Sequence, residues 1–364
     1  MIYRDSYIKI NIDNLIFNIN RLQTVSKKKM IAVIKANAYG CGDVEIAKIL
    51  ANQNLDMLAV SSLDEAMNLR NNGIKTNILI LGYVNPKYIN ICIENNLSIP
   101  TVSLDYVKEL CQHNIQGLKI HLKIDTGMNR IGLTNKQEAK QALELLKTAK
   151  IEGIFTHFAC SDSEDNRFTN KQFLKFKETI AYLNYPFQYI HTSNTDATTH
   201  YHDDISNYVR CGLGLYGLSE YEIGLKPVVS LLSKVINCKL VSAFETVGYG
   251  ATYQCQQDEW IITIPIGYAD GWLRKNQGRK AYINGEYAEF VGRVCMDQCM
   301  LKVKQAVPVG TEVELFGKNI SLKSVAQDLD TIPYEILTIL SDRLTKIYYR
   351  HNLEVYEETP RFKK

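Results

Sequence analysis

Lys35 stands at the end of a short apolar run, Met30-Ile31-Ala32-Val33-Ile34, and is followed by Ala36-Asn37-Ala38-Tyr39-Gly40-Cys41-Gly42. The run reads as a buried strand, so the amine emerges where parallel α/β folds gather their chemistry. There a lysine loses its proton more readily than in water and can attack a carbonyl carbon, as a Schiff-base lysine does. A strand-capping lysine that snorkels to solvent accounts for the same segment equally well. Four other stretches carry polar residues of comparable promise: Asp125, Met128 and Arg130 in LKIDTGMNRIG, His157 in GIFTHFA, Asn194 and Thr195 in HTSNTDA, and Arg210, Gly212 and Leu213 in YVRCGLGLYG. One such residue means little, but several strand ends aimed at one face are hard to obtain from packing alone.

The last two stretches have a more specific reading. Thr195 offers a hydroxyl, and Gly212 and Gly214 let backbone N–H groups approach an anion closely. Barrels commonly bind phosphate with the loops after their seventh and eighth strands. A carbonyl-attacking lysine opposite a phosphate cradle suggests pyridoxal 5'-phosphate. Arg210 would then lie near the pyridine nitrogen and keep it unprotonated, which weakens the ring as an electron sink and suits simple removal and return of a proton at one carbon. Taken alone, GLGLYG is also what ordinary turn glycines look like.

The elements that must position these residues follow a regular alternation. A helix is expected over residues 12–25, with strands near 30, 57, 77, 98, 118, 151, 187 and 207 and helical patterns between most of them. Eight βα repeats in about 210 residues fit an α/β (β/α)8 TIM barrel. The texture changes near Lys226-Pro227. Short strands then dominate, over 235–241, 260–265, 280–283, 288–291, 300–303 and 312–315, with helices returning near 321–329 and 334–341. The expected organisation is a barrel domain over 1–225, with its first strand free to join the other part, and a C-terminal mostly-β domain over 226–364.

That β domain has two dense stretches, Val247-Gly248-Tyr249-Gly250-Ala251-Thr252-Tyr253 with Pro265-Ile266-Gly267-Tyr268-Ala269-Asp270-Gly271-Trp272, and Gly292-Arg293-Val294-Cys295-Met296-Asp297-Gln298. On their own they read first as turns with aromatic packing. His200-Tyr201-His202-Asp203-Asp204 lacks further ligands at recognisable spacing, so no metal is expected.

With 364 residues, 46% hydrophobic content and a net charge of +3, the chain supports full-sized cores and implies neither nucleic acid nor an anionic membrane as partner. The start, MIYRDSYIKINID, has no apolar h-region, and no run is long enough to span a bilayer. Nine cysteines without a paired CxxC pattern read as reduced thiols, and a cytoplasmic location is expected.

In series, AVIKANAYGCG, HLKIDTGMNRIG, FTHFA, VRCGLGLYGL, GYGATY, IPIGYADG and VGRVCMDQCM resemble the motifs of the alanine racemase family, the fold-type III pyridoxal phosphate enzymes, over essentially the whole chain. The resemblance implies interconversion of L- and D-alanine by two bases, Lys35 on the D face and Tyr249, from the other subunit, on the L face. It implies that Lys35 carries the cofactor. Tyr39, Thr195, Gly212 and Leu213 would bind its phosphate, with Asn194 beside them, and a chain would run from Tyr249 through His157 to Arg210. Arg130 would meet the cofactor and the substrate carboxylate. Met296 and Tyr268 would frame the substrate pocket from the partner, near Arg274 and Asp297. Lys123 matches a lysine that is carbamylated in many relatives, where the carbamate orients Arg130. Shared sites imply an obligate homodimer, and D-alanine for peptidoglycan is the implied role. Asp342 departs from the pattern, since many relatives carry a phosphate-binding tyrosine there. A serine or broad-range racemase, an amino-acid decarboxylase and a non-catalytic pyridoxal phosphate-binding protein are the alternatives.

Overall fold

The computed structural model describes residues 4–53 and 55–358. Its contacts separate two compact units. One comprises Ile16–Ala38 and Gly42–Lys226, and the other the described residues up to Leu15, Tyr39–Cys41, and those from Pro227 onward.

After a first strand β1 (Ser6–Asn11), the next eight form the closed barrel of the first unit. They are β2 (Lys29–Val33), β3 (Met57–Val60), β4 (Asn77–Ile80), β5 (Leu97–Pro100), β6 (Lys119–Lys123), β7 (Lys150–Phe155), β8 (Tyr189–His191) and β9 (Tyr208–Cys211). Neighbours are parallel throughout, and β9 closes on β2. Runs such as Met57–Val60 are buried at every position, as strands covered on both faces must be. Ile31, Val33, Met57, Ala59, Leu79, Tyr189 and Tyr208 pack into one cluster. Several helices between strands begin where a polar side chain satisfies a free amide: Ser62 accepts from Glu65 N, Ser103 from Tyr106 N and Asn135 from Glu138 N.

The expected barrel strands recur with ends shifted by a few residues. The helix over Thr195–His200 was not foreseen. Its sequence, TDATTH, has no apolar stripe and reads as loop. The Asn194 cap makes it helical, and Thr195 to Thr199 are buried.

The second unit is built on a ten-stranded sheet in the order β11-β14-β17-β16-β15-β18-β10-β1-β19-β20. These are β10 (Val229–Lys234), β11 (Asn237–Val241), β14 (Glu259–Ile264), β15 (Lys280–Ile283), β16 (Glu286–Val291), β17 (Cys299–Val303), β18 (Glu312–Phe316), β19 (Thr345–Arg350) and β20 (Leu353–Glu358). The pair β12 (Thr246–Val247) and β13 (Tyr253–Gln254) stands apart. This mostly-β unit agrees with the expected class. The strand read as 235–241 is β11 alone. β10 precedes it, separated by Val235-Ile236, which contain none of the residues that usually announce a turn. β1 lies antiparallel to β10 and parallel to β19, with a buried hydrogen bond between the Ser6 and Ser233 hydroxyls at 2.8 Å.

Tyr39–Cys41 is held within this second unit. Tyr348 OH donates to Cys41 O at 2.6 Å, and the rings of Tyr39 and Tyr334 lie 6.0 Å apart. Gly40 has φ +81°, and a Cβ there would lie 2.5 Å from Leu337 O. Both the backbone conformation and the contact exclude a side chain. Gly40→Ala is expected to cost about 3 kcal/mol, read as a lower urea midpoint with an unchanged m-value.

Candidate active site

β2 stops at Val33, two residues short of Lys35, because the backbone turns left-handed immediately after the lysine. Ala36, Asn37 and Ala38 have φ/ψ of 53/54°, 53/46° and 52/48°, and Tyr39 follows with φ 55°. Such a conformation costs each L-residue roughly 1–2 kcal/mol, so the turn needs outside support. Glu65 supplies it. One carboxylate oxygen accepts from Ala36 N at 2.7 Å and the other from Ser61 N at 2.6 Å. Asn37 Oδ1 accepts from Asp43 N at 2.9 Å, and Gly42 N donates to Asn37 O at 3.0 Å. Glu65 was not among the expected site residues. Its signal was Ser62-x-x-Glu65, the spacing of a capping box. Here the carboxylate reaches past the cap to the lysine turn. Lys35 itself is half-buried, and burial lowers its pKa, with the Arg130 charge acting the same way and Glu65 opposing.

A cationic cluster surrounds this lysine. Lys123 closes β6, is 4% exposed, and lies over the Phe155 ring at 5.2 Å. Burial lowers its pKa to about 7, aided by Arg210, Arg130 and Lys35 and opposed by Asp125. Arg130 is exposed on the loop after β6. The Asp125 carboxylate is taken up by the amides of Gly127 and Asn129, at 2.9 and 3.0 Å. Arg210, in β9, is buried. Its Nη1 donates to His191 Nδ1 at 2.9 Å, and its Nη2 to Thr156 O at 2.9 Å, Thr192 O at 2.8 Å and His157 Nδ1 at 3.1 Å. His157 is held well below the usual histidine range by burial and then by Arg210, Lys123, Arg130 and Lys35, so its ring is neutral.

At the last two strand ends, Thr195 Oγ1 accepts from Gly212 N at 3.2 Å and Gly214 N at 3.1 Å. Two amides thus take the Thr195 oxygen as their acceptor, which leaves its O–H free to donate to an anion. Leu213 is buried and opens a 3-10 turn over Leu213–Tyr216. Asn194 is committed to structure: its Oδ1 accepts from Ala197 N at 3.1 Å and Ser161 Oγ at 2.8 Å. Lys35, Lys123, Arg130, His157 and Arg210 therefore act on one another electrostatically, and Thr195 joins Gly212 and Gly214. These residues fit an anionic cofactor, with cations in excess over the carboxylates Asp125 and Glu65.

The remaining expected residues belong to the second unit. Tyr249 and Met296 line one open cleft with Phe244, Val247 and Gln298. They are 70% and 53% exposed. Tyr268 is tied to the same loop, its N donating to Cys295 O at 3.1 Å while Ala269 N donates to Met296 O at 3.0 Å. Beneath them Asp270 is fully buried. It accepts from Arg4 Nη2 at 2.7 Å and Gly267 N at 2.9 Å, and Arg343 reaches it at 3.4 Å. Arg343 also bonds Asp297 Oδ1 at 2.6 Å. The links of Arg4 and Arg343 to Asp270 were not expected, because the three are distant in the chain. Arg274 is exposed, and Asp342 receives Lys346 Nζ at 3.3 Å. Tyr39 packs with this unit. In the 200–204 stretch, His200 Nδ1 donates to Asp196 O at 2.8 Å and Asp203 binds Lys28 at 2.9 Å, so these groups serve structure.

A closed parallel barrel bearing a half-buried lysine, a cationic cluster and a buried hydroxyl at its last two strand ends fits the class of barrel-type pyridoxal phosphate enzymes. Residues 10–220 match the model of the alanine racemase N-terminal domain, and residues 228–348 that of the alanine racemase C-terminal domain. The chain belongs to the alanine racemase family. It is 42% identical over 334 residues to the alanine racemase of Streptococcus pyogenes serotype M5, covering 88% of this chain and 91% of that one. The crystal structure of alanine racemase from Bacillus anthracis with bound L-Ala-P superposes with a TM-score of 0.93 at 36% identity, covering 98% of both chains. A histidine racemase from Leuconostoc mesenteroides superposes with a TM-score of 0.88 at 28% identity, covering 96% of this chain and 99% of that one.

Two outcomes follow from this geometry. The unfolded chain holds a Lys123 proton up to about 10.5, whereas the folded chain releases it above about 7. The penalty on folding is therefore full below pH 7 and fades toward pH 10.5. In carbon dioxide-free buffer, Lys123→Met should exceed the wild type in urea stability near pH 6, with the gap shrinking toward pH 10. Asp270→Ala strips Arg4 and Arg343 of a buried partner and should cost about 3 kcal/mol by the same measurement.

Proposed function

We propose that this chain interconverts L- and D-alanine, using Lys35 to move the Cα proton on the D face and the partner subunit's Tyr249 to move it on the L face. The observation that carries the reading is the half-buried Lys35, with its lowered pKa, set in a cationic cluster. A lysine poised in this way can bind a carbonyl cofactor and gives up its proton more readily than a solvated one. Bound pyridoxal phosphate would draw electrons from Cα and so acidify its proton. Lys35 would hold the cofactor. Thr195, Gly212, Leu213 and Tyr39 would receive its phosphate, and Asn194 would hold the helix that presents Thr195. Arg210 would face the ring nitrogen. Its other hydrogen bonds all go to neutral acceptors, so no carboxylate offsets its charge, which would disfavour a proton on the ring nitrogen.

Arg130 would orient the substrate carboxylate, with Met296 and Tyr268 of the partner subunit bounding the small side chain. Lys123, with a pKa of about 7, has free amine available at neutral pH. That is what condensation with carbon dioxide to a carbamate requires, releasing one proton, and the resulting anion would offset Arg130 and Arg210. His157, accepting from Arg210 at Nδ1, would present Nε2–H toward the L-face base.

The barrel part, 1–225, would bind the cofactor, and the β part, 226–364, would complete the site of a second copy. Phe244, Tyr249 and Met296, exposed by 74%, 70% and 53%, form an apolar face of the kind that a homodimer covers. No helix among the described residues is long and apolar enough to cross a membrane. A cytoplasmic enzyme that supplies D-alanine to peptidoglycan is the role this reading implies.

The test is hydrogen exchange at Cα of L- and D-alanine in deuterium oxide, with serine and histidine as competing substrates. Lys35→Ala should fail mainly with D-alanine and Tyr249→Phe mainly with L-alanine, each by about 10²–10⁴-fold. Equal losses on both isomers in the tyrosine variant would overturn the two-base scheme. Faster exchange on serine or histidine than on alanine would overturn the substrate.

A further inference from the structure

Arg210 is the visible end of a longer buried array. A guanidinium only donates hydrogen bonds, so His191 Nδ1, 2.9 Å from Arg210 Nη1, must present a lone pair. His191 is then neutral and carries its proton on Nε2. That nitrogen lies 2.9 Å from His121 Nδ1, which must in turn accept. The proton of His121 is left on Nε2, an atom that is buried and has no hydrogen-bond partner among the described residues. A single choice at the arginine therefore fixes the tautomers of both rings.

The array is built for that choice. His121, Gly153 and Tyr189 lie at one register across β6, β7 and β8. A Cβ on Gly153 would come within 2.5 Å of His121 Nδ1, so the glycine makes the room that the ring occupies. Tyr189 stacks on His121, with centroids 5.2 Å apart and planes at 26°. Phe155 stacks on His191 at 4.7 Å and 11°. Both histidines are fully buried. The charges that act on them are Glu152, Arg210 and Lys119 for His121, and Arg210 and Lys123 for His191. Burial is the largest influence on each and favours the neutral ring.

We infer that His121 is a positioning residue: by accepting from His191 it holds the Nδ1 lone pair of His191 on Arg210, and so fixes the guanidinium that faces the cofactor. The first part stands on the array alone, and the second rests on the placement of Arg210 proposed above. His121 touches neither substrate nor cofactor and acts through two intermediaries. An imidazole whose donor and acceptor could exchange would take from Arg210 Nη1 its one acceptor among the described residues, and the orientation of a fully buried cation depends on such acceptors.

The test has two arms. Long-range ¹H–¹⁵N correlation spectra of the holoenzyme with ¹⁵N-labelled histidine read the tautomers directly and need no variant. Nε2–H forms of both His121 and His191 are expected, and Nδ1–H on either ring overturns the array. The second arm compares His121→Asn with His121→Leu, which share a shape but differ in the acceptor. The asparagine variant should keep a kcat about five- to tenfold above the leucine variant, with similar KM values and similar thermal midpoints, and the visible absorption of bound cofactor should shift more in the leucine variant. Equal kcat and equal spectra in the two would overturn the positioning role. Arg210→Lys, measured alongside, separates the two failures. If that variant leaves absorption and kcat as in the wild type, the placement of Arg210 is wrong. If it changes them while the asparagine and leucine variants agree, only the role of His121 is wrong.

Discussion

The barrel site depends on how one buried guanidinium is satisfied. Arg210 makes hydrogen bonds to two carbonyl oxygens and two imidazole nitrogens, and none of these partners is a carboxylate. A carboxylate would neutralise the charge and compete with any anion brought to the site. Neutral acceptors instead leave the positive field intact. That field helps to depress the amine of Lys123 and the ring of His157. Burial is the larger cause for both groups, and the cluster of like charges adds to it.

The turn after Lys35 shows a different trade. Four successive non-glycine residues in the left-handed region are unfavourable, and the fold holds them with side-chain acceptors from neighbouring segments, Glu65 above all. The consequence is a lysine whose following backbone cannot relax into an ordinary helix. The amine is kept near Arg130 and partly out of water, and its lowered pKa follows from that placement.

In the second unit the same logic serves presentation rather than reactivity. Asp270 bridges Arg4, Arg343 and the amide of Gly267, and Arg343 in turn holds Asp297. Tyr268 and Met296 project from loops pinned at those points. They stay exposed because the rigid elements lie below them, not around them. An exposed tyrosine and methionine on a fixed loop are suited to a surface that another chain completes.

Alternating buried runs and capped helices follow from hydrophobic period and side-chain hydrogen bonding, both local, so the barrel is legible in the sequence. Lys35, Thr195 and Arg210 were legible as well, because strand ends are where such residues are conspicuous. The short helix over Thr195–His200 was not, since its stability comes from burial rather than pattern. Glu65, His121 and His191 were missed for a related reason. As residue types they are unremarkable, and their roles come from atoms 29, 70 and 19 residues away in the chain. Pattern and motif in the chain alone were enough for the fold class and the family. Which neutral groups surround Arg210 and which carboxylate restrains the lysine turn could be read only from the folded chain, because hydrogen bonds across strands depend on register and burial, which are settled when the barrel closes.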